Sequence, residues 1–137
     1  MKEFPSQAII DYLYRDPYAR FLGIQIDEID YGFSRMQITV GPDHVNIHGT
    51  AHGGLIFTLA DTAFAVACNS YGQTAVGLNV DINYVEAAQV GDLLVAEAKE
   101  VSQKGPIGVY QISIMKNGGT IAQCQAMSYR KRDRFAD

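Results

Sequence analysis

The segment over residues 53–71, GGLIFTLADTAFAVACNSY, is the feature of this chain that most constrains its fold. It is rich in Ala and Leu and free of Pro, which predicts a long helix that ends at Asn69 and Ser70. With about 100° of rotation per residue, most of the circumference of this helix is apolar. The apolar face and its flank carry Ile56, Ala60, Ala63, Phe64 and Ala67 with Leu55, Leu59 and Val66. Only a narrow polar edge remains, at Thr58, Thr62 and Asn69, so other elements have to wrap the helix.

The chain before the long helix predicts a short helix and two strands. The short helix has Ser6 as its N-cap residue and is expected to end at Pro17. Apolar and polar residues then alternate from Ile24 through a turn at Tyr31 and Gly32, which is typical of a strand pair.

The chain after the long helix predicts four antiparallel strands. Period-two alternation covers residues 76–84, 93–101, 107–116 and 120–130. The last two of these segments flank Asn117, Gly118 and Gly119, which is the strongest short hairpin signal in the chain.

These elements predict one α+β domain over residues 1–137, in which a curved antiparallel sheet of about six strands wraps one long central helix. A curved sheet covers one side of a helix best. We therefore expect an open sheet edge and part of the helix to face a partner subunit.

Composition excludes several classes of protein. The chain has 11 Lys and Arg against 15 Asp and Glu, a formal net charge of -4, which argues against nucleic-acid binding. The N-terminal stretch is charged, and no uncharged apolar run reaches membrane-spanning length. Cys68 and Cys124 lie in apolar stretches without metal-type spacing, which indicates buried free thiols. We expect a cytoplasmic protein that binds neither nucleic acid nor membranes.

Asp61 is the only charged residue of the long predicted helix. An ionised carboxylate among Phe57, Phe64 and Cys68 is costly to bury unless it is hydrogen-bonded or reaches a cleft. Asp61 is therefore a candidate catalytic group. The alternatives are a pair with a cation elsewhere, or plain solvation on a wider polar edge.

The loop from Asn46 to Gly54 runs directly into the long helix and ends in a glycine pair. Glycines at a helix start let a ligand approach the backbone, and the free N–H groups there favour a negative oxygen. Such donors stabilise the oxyanion of a transition state by roughly 3 kcal/mol each. The alternative is structural: the glycines tighten the turn, and His52 caps the helix.

Distance links these two features to a second subunit. Gly53 and Asp61 are eight residues apart, which is about 12 Å along one helix and too long for both to touch one carbonyl group. A two-fold dimer with antiparallel helices brings Gly53 of one subunit toward Asp61 of the other. The residues therefore predict an obligate dimer with two composite sites.

The motif Asn46-x-His48-Gly49-x-x-His52-Gly53-Gly54, followed by Leu59-Ala60-Asp61 and later by Val90-Gly91-Asp92, resembles the hotdog-fold acyl-CoA thioesterases of the phenylacetate-degradation type. The resemblance runs from the stretch FLGIQIDEIDYG at 21–32 to the last strand. It implies a hotdog fold and hydrolysis of acyl-CoA to free acid and coenzyme A, without metal or redox cofactor. It also implies a homodimer that forms a dimer-of-dimers tetramer.

The resemblance also implies roles for single residues. Asp61 corresponds to the carboxylate that attacks the thioester carbonyl or activates the attacking water, and the Gly53 N–H to the donor that polarises this carbonyl. His52 corresponds to a histidine that assists Gly53 at the carbonyl, and Asn46 to an asparagine that orients the water or the carboxylate. The expected substrate-binding residues are Gly54, Phe57, Gly77 and Asn79.

Two departures from the family pattern concern the strand after the helix. Many members carry Ser or Thr where this chain has Gly77, with Asn79 and Asp81 expected on the same face. The proline that commonly precedes the Val90-Gly91-Asp92 turn is absent. Phe57, Phe64 and Tyr71 are expected to set the preference for an aryl, arylacetyl or medium-chain acyl group.

Three other functions fit parts of the sequence. A hotdog dehydratase or hydratase acting on 3-hydroxyacyl thioesters would use His48 with Asp61, although its acid is usually Glu. A non-catalytic acyl-CoA-binding module would need the pocket but not Asp61. A zinc site at His48 and His52 lacks an evident third ligand.

Overall fold

The computed structural model describes residues 5–137 as helices α1 to α3 and strands β1 to β6. The first half contains α1 (Gln7–Leu13), α2 (Pro17–Leu22), β1 (Gln25–Asp30), β2 (Phe33–Thr39), a 3-10 turn (Pro42–His44) and α3 (Gly53–Asn69). The second half contains β3 (Gln73–Tyr84), β4 (Leu93–Lys104), β5 (Ile107–Lys116) and β6 (Gly119–Arg134).

The six strands form one antiparallel sheet in the order β1-β2-β4-β5-β6-β3. Helix α3 lies on one face of this sheet and contacts all six strands. Small residues at the centre of the sheet let the helix approach closely; these are the fully buried Ala96, Ala98, Ala122 and the nearly fully buried Ala126. The predicted α+β architecture is confirmed.

The apolar face and flank predicted for α3 are buried throughout. Thr62, which was expected on the polar edge, is also buried, and its hydroxyl donates to the Thr58 carbonyl. The helix ends at Asn69, where Ser70 caps it, as predicted. The Asn69 side chain accepts from the Ala75 N–H at 2.9 Å and donates to the Ala75 carbonyl at 3.1 Å, which ties the helix end to β3.

The N-terminal helical region differs from the prediction. Ser6 caps α1 as expected, but Pro17 does not end this helix. It is instead the first residue of α2, where the Asp16 side chain accepts from the Tyr18 and Ala19 N–H groups at 3.0 and 3.1 Å. Because proline has no N–H to leave unpaired, it is favoured at a helix start. Helix α1 therefore ends at Leu13, before the proline, and Pro17 begins the next helix.

Strand β3 contains an irregularity at Leu78 that the alternation did not predict. Gly77 pairs with Ser128 and Asn79 pairs with Met127, so two residues of β6 face three of β3. One extra residue reverses the side of every position beyond it. Gly77 therefore faces α3 while Asn79 and Asp81 face away from it, and the expectation that the three share a face is wrong.

Several smaller predictions are confirmed. Asn117 and Gly118 both have positive φ, 52° and 80°, as the tight turn between β5 and β6 requires. Cys68 and Cys124 are free and buried. Among residues 5–137, no helix has the length and apolarity needed to span a membrane.

Candidate active site

The loop before α3 is held together by the side chain of Asn46. Its Oδ1 accepts from the His48 N–H at 2.9 Å and the Thr50 N–H at 3.2 Å, and its Nδ2 donates to Thr50 Oγ1 at 2.9 Å. A turn with Gly49 at φ 84° closes the loop. In the protomer Asn46 thus shapes the approach to α3, and its amide points into its own loop.

His52 is the N-cap residue of α3. Its Nδ1 accepts from the Gly54 N–H at 2.8 Å, so in the neutral ring the proton lies on Nε2. A Cβ on Gly54 would lie 3.0 Å from that Nδ1. The imidazole that caps the helix therefore disfavours a side chain at position 54.

Gly53 has no such explanation within the protomer. Its N–H donates to no acceptor in residues 5–137. A Cβ there would meet only the Tyr84 side chain, at an ordinary 3.7 Å. Glycine costs about 0.5–1 kcal/mol relative to alanine inside a helix. A free N–H beside an open backbone is what a ligand oxygen at a helix start needs.

Tyr84, at the end of β3, is a neighbour of Gly53 that the sequence did not single out. Its hydroxyl donates to the Gly53 carbonyl at 3.3 Å. Ile56, Tyr84, Val85 and Glu86 help to line an open depression of about 330 Å³ around Gly53. A tyrosine at the end of an alternating strand gives no sign in the sequence of a role beyond packing. Only the tertiary structure shows that Tyr84 lies beside Gly53.

Asp61 lies two turns further along α3 and is partly buried. Its carboxylate has no hydrogen-bond or ion-pair partner in the described part of the chain. Burial raises the pKa of this carboxyl group above its usual value, and the negative charge of Asp16 raises it further. The described residues therefore do not supply the cation partner that was the first alternative for Asp61. A carboxylate without a partner can accept a proton or attack a carbon.

The remaining predicted site residues are distributed along α3 and β3. Gly54, Phe57 and Asp61 lie on one stripe of α3 that the sheet leaves partly open. Gly77 faces α3, and a Cβ there would lie 3.2 Å from the Phe64 ring. Asn79 lies on the opposite face of β3. The protomer therefore brings Asn46, His52, Gly53 and Gly54 together at one helix end and leaves Asp61 two turns away.

Comparison with known proteins identifies this arrangement. The model of the Thioesterase superfamily matches residues 48–123, which include the end of the loop before α3, the helix, strands β3 to β5 and the start of β6. The acyl-coenzyme A thioesterase PaaI of Escherichia coli is 40% identical over 116 residues, covering 84% of this chain and 83% of that protein. The chain belongs to the Thioesterase superfamily. It is a thioester hydrolase by family.

Solved structures of thioesterase-superfamily proteins show the same fold. The structure of E. coli PaaI, from the phenylacetic acid degradation operon, superposes with a TM-score of 0.89 at 37% identity and covers 93% of this chain and 94% of its own. A thioesterase protein from Streptococcus pneumoniae, solved with coenzyme A, superposes with a TM-score of 0.79 at 26% identity over 83% of this chain and 93% of its own. The predicted hotdog fold is confirmed.

Two aromatic residues expected near the acyl group of a thioesterase substrate lie elsewhere. Phe64 is buried in the core and packs edge-on against Tyr110, with ring centroids 5.6 Å apart. The Tyr71 hydroxyl donates to Glu100 Oε1 at 3.0 Å, and its ring stacks on Tyr31. Phe57 alone of the three lies on the open stripe of α3.

The described residues hold no cluster of three or more His, Cys, Asp or Glu side chains that could bind a metal ion. His48 is exposed, and His52 uses Nδ1 for the helix cap.

Proposed function

We propose that this protein hydrolyses acyl-CoA thioesters, with an aryl, arylacetyl or medium-chain acyl group, to the free acid and coenzyme A. The single observation that carries the proposal is the free N–H of Gly53, at a helix start where no contact within the protomer requires glycine. E. coli PaaI, whose name states acyl-coenzyme A thioesterase activity, supports acyl-CoA as the substrate. So does the coenzyme A in the S. pneumoniae structure.

In the proposed reaction the Gly53 N–H donates to the thioester carbonyl oxygen and stabilises the negative charge that develops there. Asp61 acts as nucleophile, or as the general base that takes a proton from the attacking water. When Asp61 is the base, water adds to the carbonyl carbon and forms the new C–O bond, collapse of the adduct breaks the C–S bond, and the proton taken by Asp61 passes to the sulfur, so that coenzyme A leaves as the thiol. When Asp61 is the nucleophile, the same collapse leaves an acyl–Asp61 anhydride and coenzyme A takes its proton from solvent. Water then hydrolyses the anhydride to the free acid and regenerates the Asp61 carboxylate. No metal or redox step is needed.

The remaining site residues position these two groups. His52 caps α3 and holds the peptide between Gly53 and Gly54, and its Nε2–H remains available near the carbonyl. Asn46 holds the preceding loop. Gly54 and Phe57 line the approach along α3, and Gly77 and Asn79 lie on the edge strand where the subunits meet.

The composite site requires a second subunit, and the sheet offers an edge for it. Edge strand β1 is six residues long and carries Asp27, Glu28 and Asp30, which discourage pairing. Edge strand β3 is twelve residues long and exposes Val76 and Leu78. We propose that β3 pairs with its two-fold mate and that two such dimers form a tetramer. Gly53 of one subunit and Asp61 of the other then act on the same thioester carbonyl.

Mixing two inactive variants tests the shared site directly. In a heterodimer of Asp61→Asn and Gly53→Pro subunits, one of the two sites has both groups intact. Refolding the variants together should restore about a quarter of wild-type turnover, whereas each variant alone stays inactive. Thiol release from phenylacetyl-CoA measures it. No recovery in mixtures that sedimentation shows to contain heterodimers would contradict a shared site, and no hydrolysis of any acyl-CoA by the wild type would contradict the function.

A further inference from the structure

A cavity of about 480 Å³ lies between α1 and the C-terminal half of α3. The residues that give it its apolar character are Tyr12, Leu13, Pro17, Ala65, Val66 and Phe135. We call it the α1–α3 cavity. It is built from both ends of the chain, and none of the predicted site residues lines it.

The α1–α3 cavity begins one helical turn from Asp61. Ala65 follows Asp61 by four residues, which places it on the same stripe of α3, about 6 Å further along the axis. Asp16, whose charge acts on the Asp61 carboxyl group, also lines the cavity. A carbonyl carbon held at Asp61 therefore has this cavity within reach of its substituent.

Two stacked aromatic rings, Tyr12 and Phe135, form the far side of the α1–α3 cavity, which we call the Tyr12–Phe135 wall. The Tyr12 and Phe135 rings stack with centroids 4.3 Å apart, and the Arg15 guanidinium lies 5.4 Å above the Tyr12 ring. Backbone bonding fixes Phe135, whose N–H donates to the Gly72 carbonyl at 3.0 Å. The stacked rings border the cavity with flat apolar surface, which suits a ring or a methylene chain.

A second cavity, of about 390 Å³, lies on the other side of Asp61 toward the start of α3. It is lined by Phe57 and Thr58 but also by the polar groups of Asp43, His44 and His52. A purely apolar acyl group would cover the Asp43 carboxylate and the Nε2 atoms of His44 and His52 without offering them a partner, which is costly.

The polar groups that line the α1–α3 cavity already have partners within the protein. Asp16 caps α2, the Thr74 hydroxyl donates to Asp133 Oδ2 at 2.8 Å, the Asn69 amide bonds to Ala75, and the Arg15 guanidinium lies over the Tyr12 ring.

We infer that the α1–α3 cavity receives the acyl group of the substrate, so that Ala65 and the Tyr12–Phe135 wall set which thioesters are hydrolysed. This inference rests on the proposed function. It implies that the enzyme hydrolyses thioesters of bulky apolar acyl groups in preference to acetyl-CoA, because an acetyl group would leave most of the cavity unfilled.

Ala65→Leu tests the inference by filling the cavity next to Asp61, and Thr58→Leu is the matched control on the other side of Asp61. The kcat/KM values for phenylacetyl-CoA, octanoyl-CoA and acetyl-CoA are measured for both variants and the wild type. Ala65→Leu should lower the ratio of phenylacetyl-CoA to acetyl-CoA about tenfold or more, and Thr58→Leu should leave that ratio unchanged. Sedimentation and urea unfolding check that each variant is folded and assembled.

Phe135→Ala is a second variant that acts at the far wall and does not crowd the helix. It should raise kcat/KM for dodecanoyl-CoA relative to acetyl-CoA severalfold, because the stacked wall is opened. An unchanged acyl ratio in both Ala65→Leu and Phe135→Ala, or a ratio that changes only in Thr58→Leu, would overturn the inference while hydrolysis itself persists. A wild type that hydrolyses none of these thioesters would overturn the proposed function and the inference together.

Discussion

Gly53 and Gly54 are adjacent glycines with different physical reasons for their identity. A Cβ on Gly54 would lie 3.0 Å from the imidazole that caps the helix, which is a tight contact, whereas one on Gly53 would meet only ordinary contacts. Contacts within the protomer therefore do not explain the glycine at position 53, and the approach of a ligand is the explanation that we propose. This contrast separates the catalytic interpretation of Gly53 from the structural one.

Gly53→Pro should remove the proposed oxyanion donor while leaving α3 intact. Proline is favoured as the first residue of a helix, and His52, with φ -64° and ψ 136°, already has the extended conformation required before proline. We expect kcat to fall about 10²- to 10³-fold, with circular dichroism and unfolding little changed. Gly53→Ala, which keeps the N–H, is the control. Equal kcat in wild type and Gly53→Pro would contradict the assignment of the donor.

Asp61→Asn should raise the stability of the fold while abolishing turnover. Burial, assisted by Asp16, raises the pKa of Asp61 in the folded state, so the unfolded chain loses this proton first as the pH increases. The wild type therefore loses stability between the usual carboxyl pKa, about 3.9, and the higher folded pKa, and does not regain it above that range. Asparagine does not ionise, so the Asp61→Asn variant does not lose this stability as the pH rises.

The measurement for Asp61→Asn is the difference in free energy of unfolding between variant and wild type, from urea titrations at a series of pH values. This difference should move in favour of the variant as the pH rises from about 4 to neutrality. Asp43→Asn, at an exposed carboxylate of the 3-10 turn, serves as the control. A difference that moves in favour of the wild type would show that Asp61 has a stabilising partner.

At the scale of the element, the start of α3 combines a structural cap at His52 with the proposed oxyanion donor at Gly53. His52→Ala should lose about 0.5–2 kcal/mol of stability, because the Gly54 N–H loses its acceptor. His52→Asn supplies another side-chain acceptor and should restore most of that stability. Urea unfolding and kcat are measured for both variants. If His52 also acts at the carbonyl, His52→Asn stays slow, and full recovery of kcat would limit His52 to capping.

At the scale of the whole molecule, the two sheet edges differ in length and charge, which predicts where subunits join. Leu78→Lys places a charge on the long edge strand β3, where Leu78 is 55% exposed in the protomer. We expect it to shift sedimentation toward the monomer and to lower turnover in parallel, because the composite site is lost. Asp27→Lys on β1 is the matched control. An active Leu78→Lys monomer at high dilution would exclude a shared site.

Much of the fold follows from local pattern in the sequence. The apolar circumference of α3, the alternation of the strands and the Asn117-Gly118 turn each act over a few neighbouring residues, and all three predictions are confirmed. The free N–H at Gly53 and the lone carboxylate at Asp61 were also predictable as candidates, because a glycine pair and a single charge stand out in an apolar helix. Their pairing across two subunits stays a prediction.

Only the tertiary structure decided what depends on contacts between distant segments. Pro17 both follows one helix and starts another, and local propensity does not distinguish these outcomes. The irregularity at Leu78 depends on the register with β6, which reverses the side on which Asn79 lies. The α1–α3 cavity joins Tyr12 to Phe135 across nearly the whole chain. Periodicity is a property of neighbouring residues, whereas register and cavities arise when separate elements pack together.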